Sequence, residues 1–131
     1  MEKEFVPYEL ALRLKAIGFN EPCLAIHSNA NPKTGLYTLN KYRLKLIKQG
    51  SQKDKGVKAP LYQQAFRFFR KQYKLISFVF PQIEDGGCEY QIVHYNPHKI
   101  MYKVYSKGMT YEEAELACLR KLIEIVEPKS E

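Results

Sequence analysis

The chain has 131 residues, a length typical of one domain, and its hydrophobic content of 45% excludes a disordered protein. No apolar run approaches the ~20 residues of a membrane helix, and the first residues do not resemble a signal peptide, so we expect a cytoplasmic protein without a membrane partner. Of the net charge of +7, residues 1–59 (11 Lys/Arg, 5 Asp/Glu) carry +6 and residues 60–131 (10 Lys/Arg, 9 Asp/Glu) carry +1. Such a chain favours a polyanionic partner if its cations cluster in space.

The first predicted element is a short helix over residues 7–17, with Pro7 at its first position and Gly18 as its C-cap. A short strand over residues 23–27 follows, and residues 28–35 form a loop dense in turn residues. The three cysteines include no C-x-x-C pair, which favours reduced thiols over a disulfide framework.

Residues 36–47 have an alternating pattern, in which Tyr42, Leu44 and Leu46 fall on one side of the chain. Lys41, Arg43 and Lys45 fall on the other side, which gives the period of two expected of a half-buried strand. The basic character continues through residues 48–58, which we expect to be a mobile polar loop. Two interpretations stay open: an edge strand whose lysines prevent pairing with another sheet, or a strip that contacts phosphates.

Pro60 is predicted to occupy the first position of a helix that runs to Tyr73. One face of this helix is apolar and aromatic. The opposite face carries Arg67, Arg70 and Lys71 with no acid among them. This face either keeps the helix soluble, with its last cations complementing the helix dipole, or it binds an anion.

Three strands are predicted at residues 75–80, 88–95 and 100–106, joined by hairpin turns, and a helix follows over residues 110–126. Thr110 and Glu113 form a capping box at its start, and its apolar arc of roughly 200° is broader than one sheet requires. We therefore predict an α+β fold, with three helices packed on one face of a mainly antiparallel sheet. Residues 1–131 form a single domain, comprising an N-terminal part (1–59) and an α-β-β-β-α core unit (60–126).

Catalytic and metal-binding patterns are weak. His94 and His98 flank a turn and Cys88 lies on the adjoining strand, but zinc sites have paired, closely spaced ligands, so we expect no metal and no cofactor. No glycine-rich phosphate loop and no catalytic triad can be argued, and we expect no enzyme. Four tyrosines in the strands could instead form an aromatic face that stacks bases, or serve as ordinary strand residues: Tyr90, Tyr95, Tyr102 and Tyr105.

The α-β-β-β-α order over residues 60–126, with the capped helix that begins at Thr110, resembles the double-stranded RNA-binding domain. That family grips phosphates with lysines at the start of its last helix. The matching positions here are Glu112, Glu113 and Glu115. The resemblance therefore implies the layout, whereas phosphate contacts would have to come from the helix before the strands or from residues 41–58.

The segments at residues 7–12, 59–70 and 110–126 resemble a family of small uncharacterised proteins of phages and mobile elements of gut bacteria. This resemblance implies an accessory or host-takeover protein in the cytoplasm of a bacterial host. Such a protein could engage a host protein or form a homo-oligomer.

These observations lead to one hypothesis and two alternatives. The hypothesis is a non-enzymatic binding protein that engages a nucleic acid or a phosphorylated small ligand through basic residues. The first alternative is an inhibitor that sequesters a nucleotide immune signal or blocks a host protein, and the second is a virion or packaging component. The residues expected to bind phosphate are Lys41, Arg43, Lys45, Arg67, Arg70 and Lys71.

Overall fold

The computed structural model of the protein describes residues 4–27, 36–38, 57–82, 86–95 and 98–128. The chain forms two compact units, Met1–Gln64 and Ala65–Glu131. Three helices and antiparallel strands confirm the predicted α+β class. In chain order the elements are α1 (Tyr8–Ala16), β1 (Ala25–His27), β2 (Leu36–Thr38), β3 (Val57–Lys58), α2 (Tyr62–Tyr73), β4 (Leu75–Pro81), β5 (Cys88–Tyr95), β6 (His98–Ser106) and α3 (Tyr111–Val126).

The first unit contains a three-stranded antiparallel sheet in the order β2-β1-β3, with α1 packed against β3. Pro7 is the N-cap of α1 rather than its first residue, and Gly18 takes a φ of 106° after the helix ends. The buried His27 ring pairs its Nε2 with the Val6 carbonyl oxygen at 2.8 Å. This bond connects the sheet to the segment before α1.

The prediction for residues 48–58 is wrong at its C-terminal end. Val57 and Lys58 form β3 and are both buried, because β3 pairs with β1 through Ile26 and His27. Lys41, Arg43 and Lys45 lie outside the described residues.

The second unit contains the predicted α-β-β-β-α order. Its sheet is antiparallel in the order β4-β5-β6, so the strands of the chain divide between two sheets. The β4–β5 register runs from the Leu75–His94 pair to the Pro81–Cys88 pair, and a bulge interrupts the β5–β6 register at Ile92. The helix α2 begins at Tyr62, two residues after Pro60, because Leu61 forms a bridge with Phe5.

α3 packs against β4 and β5 and supplies much of the core of this unit. The predicted capping box is confirmed: the Glu113 N–H donates to Thr110 Oγ1 at 3.1 Å, and the Thr110 N–H donates to Glu113 Oε1 at 2.9 Å. Within the described part of the chain, no helix is long and apolar enough to span a membrane. The fully buried side chains of this unit include Phe69, Ile92, Cys118, Leu119, Leu122 and Ile123.

Candidate functional site

The exposed face of α2 carries three of the predicted phosphate-binding residues. Arg67, Arg70 and Lys71 are exposed and stand at helical spacings that place neighbouring Cβ atoms about 5–6 Å apart. Phe68 and Phe69 are buried on the opposite side. The sequence contains no acidic residue between positions 59 and 82, so the positive charge of this face is not neutralised within its own segment.

Tyr95 connects the end of α2 to the end of β5. Its hydroxyl donates to the Arg70 carbonyl oxygen at 3.3 Å, and its backbone N–H donates to the Lys74 carbonyl oxygen at 3.2 Å. Lys74 takes a left-handed φ of 57°, which turns the chain from helix to strand. Its ammonium then lies 5.5 Å from the centre of the Tyr95 ring, a cation–π contact.

The sheet register places one further cation at the same end of the sheet. Leu75 of β4 pairs with His94 of β5, and His94 pairs with Lys99 of β6. Two strand spacings of about 4.8 Å therefore separate the residue after Lys74 from Lys99. We call the arrangement at the end of α2 the basic corner, formed by Arg67, Arg70, Lys71, Lys74 and Tyr95. Lys99 lies at the same end of the sheet, on the face opposite to Tyr95.

Sequence reasoning missed the contact of Tyr95 with the end of α2 and the position of Lys99 at the same end of the sheet. Both residues belong to the hairpin that joins β5 and β6, and their positions depend on the strand register. The turn residues at positions 96–97 predicted the hairpin, but the register across β4 was not specified by any local pattern.

The other end of the same sheet is acidic. Glu89 is buried and accepts hydrogen bonds from the Gln82 amide at 3.0 Å and the Gln91 amide at 2.6 Å. Burial, reinforced by the charge of Glu112, raises the pKa of Glu115 in α3. Because Glu89 and Tyr95 are six residues apart on β5, about 20 Å separates the two ends.

A groove of about 390 Å³ lies between α3 and the sheet. Lys121 stands at this groove, where its Nζ donates to Glu124 at 3.0 Å and lies 4.9 Å from the centre of the Tyr102 ring. The Tyr90 side chain is buried, and burial, with a further contribution from Cys118, raises the pKa of its hydroxyl. The groove is lined by Tyr90, Glu113, Leu116, Ala117, Arg120, Lys121 and Glu124.

The chain matches no protein-family model, no curated protein and no solved structure. Its function therefore has to be argued from the geometry of these surfaces.

The four strand tyrosines do not share one face of the sheet. Side chains alternate along a strand, so Tyr90 and Tyr95, five residues apart, point to opposite faces, as do Tyr102 and Tyr105. Tyr90 is 4% exposed, whereas Tyr95 and Tyr105 are each about 40% exposed. The alternation places Tyr90 and Tyr102 on the α3 side and Tyr95 and Tyr105 on the other, so the four tyrosines do not form a single aromatic face.

The residues considered for a metal site do not converge. Cys88 and His94 stand at opposite ends of β5, about 20 Å apart. Among the described residues, no three His, Cys, Asp or Glu side chains are grouped closely enough to hold a metal ion. Burial raises the pKa of the Cys23 and Cys118 thiols to about 12, so both remain protonated at neutral pH and are poor nucleophiles.

Lys58 differs from the cations of the basic corner. It is only 4% exposed, its Nζ donates to Asn20 Oδ1 at 3.2 Å, and burial lowers its pKa. The positive charge at this position is engaged inside the first unit. Lys58 therefore does not belong to an exposed basic strip, although the sequence placed it at the end of the basic segment over residues 41–58.

Proposed function

We propose that this protein is a non-enzymatic binding protein, encoded by a phage or mobile element, that engages a nucleic acid or nucleotide through the basic corner. The observation that supports the proposal is the cluster of cations on α2 and at the α2–β4 junction, next to Tyr95 of β5, with Lys99 of β6 at the same end of the sheet. No acidic residue occurs in the two segments that supply them, residues 59–82 and 90–111.

The chemistry of the corner suits phosphate. Exposed arginines present planar donors that match phosphate oxygens, and lysines add point charges on flexible stems. Cations that replace condensed counterions along a nucleic acid gain affinity from counterion release. The hydrogen bond from Tyr95 to the end of α2 fixes the helix relative to the hairpin, so fewer degrees of freedom are lost on binding.

The corner also explains how a domain laid out as α-β-β-β-α could bind phosphate without lysines at the start of its last helix. The acids Glu112, Glu113 and Glu115 would repel phosphate there, and they belong to the acidic end of the sheet. In this proposal α2 and the β5–β6 hairpin provide the contacts instead. Lys41, Arg43 and Lys45 remain proposed contacts that lie outside the described residues.

The test is a titration of labelled duplex RNA, duplex DNA and single strands at low and physiological salt. The variant Arg67→Glu, Arg70→Glu, Lys71→Glu should weaken binding by at least about 100-fold at low salt, because three attractive contacts become repulsive. The matched control is Lys15→Glu, Lys103→Glu, Lys107→Glu, which changes net charge by the same amount at three other exposed positions. It should weaken binding far less.

Equal loss in both triple variants would show that net charge alone, rather than the corner, attracts the polyanion. If the α2 variant binds as the unchanged protein does, the corner is not the site. The variant Lys41→Glu, Arg43→Glu, Lys45→Glu then decides whether the other basic segment binds.

A further inference from the structure

The sheet of the second unit has a face opposite to α3, and the strand register identifies its side chains. Tyr90 lines the groove beside α3 and Ile92 is fully buried, so the alternate residues of β5 point to the other face. The pairing of β5 with β4 and β6 extends this assignment to both neighbours. The large apolar side chains of the opposite face are Ile76, Phe78, Phe80, Tyr95, Ile100 and Tyr105.

Four of these side chains are exposed to solvent. Phe78 is 47% exposed, Ile100 is 58% exposed, and Tyr95 and Tyr105 are 40% and 41% exposed. Single exposed apolar residues are common on protein surfaces and require no explanation. Several on one face of one sheet form an apolar patch, which is typical of a binding surface.

This aromatic surface adjoins the basic corner on the same side of the sheet. Lys74 directly precedes β4, and Phe78 lies four residues further along that strand, about 13 Å away. Tyr95 belongs to both surfaces, because its ring lies 5.5 Å from the Lys74 ammonium and its hydroxyl donates to the Arg70 carbonyl oxygen. One ligand on this face can therefore contact the cations and the exposed rings together.

The charge of this face favours an anionic ligand. Glu89 is the one acid among its described residues, and it is buried and bonded to the amides of Gln82 and Gln91. The exposed part of the face is thus aromatic and apolar, with positive charge at the end next to α2. A second copy of the chain would itself bring a net charge of +7 to this surface, so charge complementarity favours a polyanion over self-association.

We infer that this face binds the bases of a single-stranded nucleic acid, which stack on Tyr95 and Phe78 while the cations of the basic corner contact its phosphates. The inference rests on the proposed function and specifies its ligand as an unpaired strand. Exposed aromatic rings stack on bases of any sequence, whereas bases within a duplex are already stacked on their neighbours. We call Ile76, Phe78 and Tyr95 the base platform.

The spacing of the two rings suits a short run of nucleotides. Phe78 pairs with Gln91 on the adjacent strand, and Tyr95 lies four residues beyond Gln91. One strand spacing and four residues along a strand correspond to about 14 Å between the two positions. A run of roughly two to four nucleotides spans this distance, since phosphates on one strand of a stacked helix advance about 3.4 Å each.

The test titrates three forms of one labelled oligonucleotide at physiological salt: the intact single strand, the same strand with abasic sites, and its duplex. The abasic strand keeps the phosphates and lacks the bases, so it measures the contribution of charge alone. We expect the intact strand to bind at least about 5-fold more tightly than the abasic strand, the effect of stacking one or more bases. It should also bind more tightly than the duplex.

Two substitutions at one position separate stacking from general apolar contact. Phe78→Leu keeps an apolar side chain but removes the ring, and should reduce affinity for the intact strand at least about 5-fold without changing affinity for the abasic strand. Phe78→Tyr retains a ring and should bind within about 2-fold of the unchanged protein. The matched control Tyr111→Leu removes a ring that is 45% exposed on α3, and should leave both affinities unchanged. Thermal unfolding of each variant verifies that the fold is retained.

The inference is overturned if the intact and abasic strands bind equally well, or if Phe78→Leu binds the intact strand as Phe78→Tyr does. Failure of the proposed function gives a different result. In that case the variant Arg67→Glu, Arg70→Glu, Lys71→Glu would bind both single strands as the unchanged protein does. Weaker binding of both strands by that variant, together with no effect of Phe78→Leu, would retain the basic corner and exclude the base platform.

A second copy of the chain is the competing occupant of this face. Sedimentation at micromolar concentration tests for it, and we expect no dimer that depends on Phe78. A dimer that Phe78→Asp dissociates and Phe78→Leu retains, with no preference for the intact strand, would assign the face to self-association. That result would overturn the inference.

Discussion

The two helices of the second unit, α2 and α3, carry charges of opposite sign at opposite ends, and each set complements the dipole of its own helix. α3 begins with a capping box and with Glu112 and Glu113 in its first turn, where negative charge complements the helix dipole. α2 has no acid in its first turn and ends with Arg70 and Lys71. The charges of α3 are thus explained by its own stability at the N-terminus, and those of the last turn of α2 by the dipole at the C-terminus.

What the comparison does not explain by helix stability is Arg67, Lys74 and Lys99. Arg67 precedes the last turn of α2, Lys74 follows the helix, and Lys99 belongs to β6. Arg67 and Lys74 stand with Arg70 and Lys71 at the end of α2, and Lys99 lies at the same end of the sheet. The groove beside α3, in contrast, is lined by both cations and acids. This difference is the argument for a binding surface at the end of α2.

The largest expected effect on stability concerns the buried apolar face of α2, since α2 and α3 each bury one face. Phe69→Ala removes a fully buried ring that contacts Phe68 and Tyr73 and should lower the free energy of unfolding by about 3–5 kcal/mol. Chemical denaturation measures this change. The control Lys71→Ala, on the exposed face of the same helix, should stay within about 0.5 kcal/mol. A comparable loss in both variants would mean that the assigned faces of α2 are wrong.

An intermediate effect is expected at the start of α3. Thr110→Ala removes the side-chain acceptor of the capping box and should cost about 0.5–2 kcal/mol in unfolding free energy. Thr110→Ser keeps the hydroxyl and serves as the matched control. Equal stability of the Ala and Ser variants would show that the cap contributes little.

The same cap predicts a pH dependence. Hydrogen bonds from the backbone and side chain of Thr110 lower the pKa of Glu113 below its usual 4.5. A lowered folded-state pKa means that the contribution of this carboxylate is present above pH 4.5 and is lost as pH falls through the lower folded value. The difference in stability between the protein and Glu113→Gln should therefore shrink on acidification, measured by thermal unfolding across that range. A difference that does not change with pH would exclude the charged hydrogen bond as its source.

The smallest expected effect comes from a substitution that gives the first turn of α2 an acidic residue, as in α3. Gln63→Glu supplies the acid that the first turn of α2 lacks and should stabilise the protein by about 0.3–1 kcal/mol. Gln72→Glu places the same charge in the last turn, where it should destabilise by a similar amount and weaken polyanion binding at the nearby corner. Both glutamines are exposed, so packing is unchanged. If both substitutions have the same sign of effect on stability, the dipole does not govern α2.

Local patterns predicted the elements well. The capping box at Thr110, the hairpins of the second unit and the amphipathic character of α2 all depend on residues within one or two turns of each other, which is why sequence alone revealed them. The ends of elements that depend on distant partners were less accurate. α2 begins late because Leu61 pairs with Phe5, and Lys58 is buried because β3 pairs with β1.

The sequence by itself determined the α+β class, the order of the second unit and the cations on one face of α2, because helical and strand periodicity fix which side chains share a face. Only the tertiary structure decided that Lys74 and Tyr95 meet at the end of that helix and that Tyr90 lines a groove beside α3. Both depend on strand register and on which strand α3 leaves uncovered. Those are set by the packing of residues far apart in the chain, for which the sequence carries no local signal.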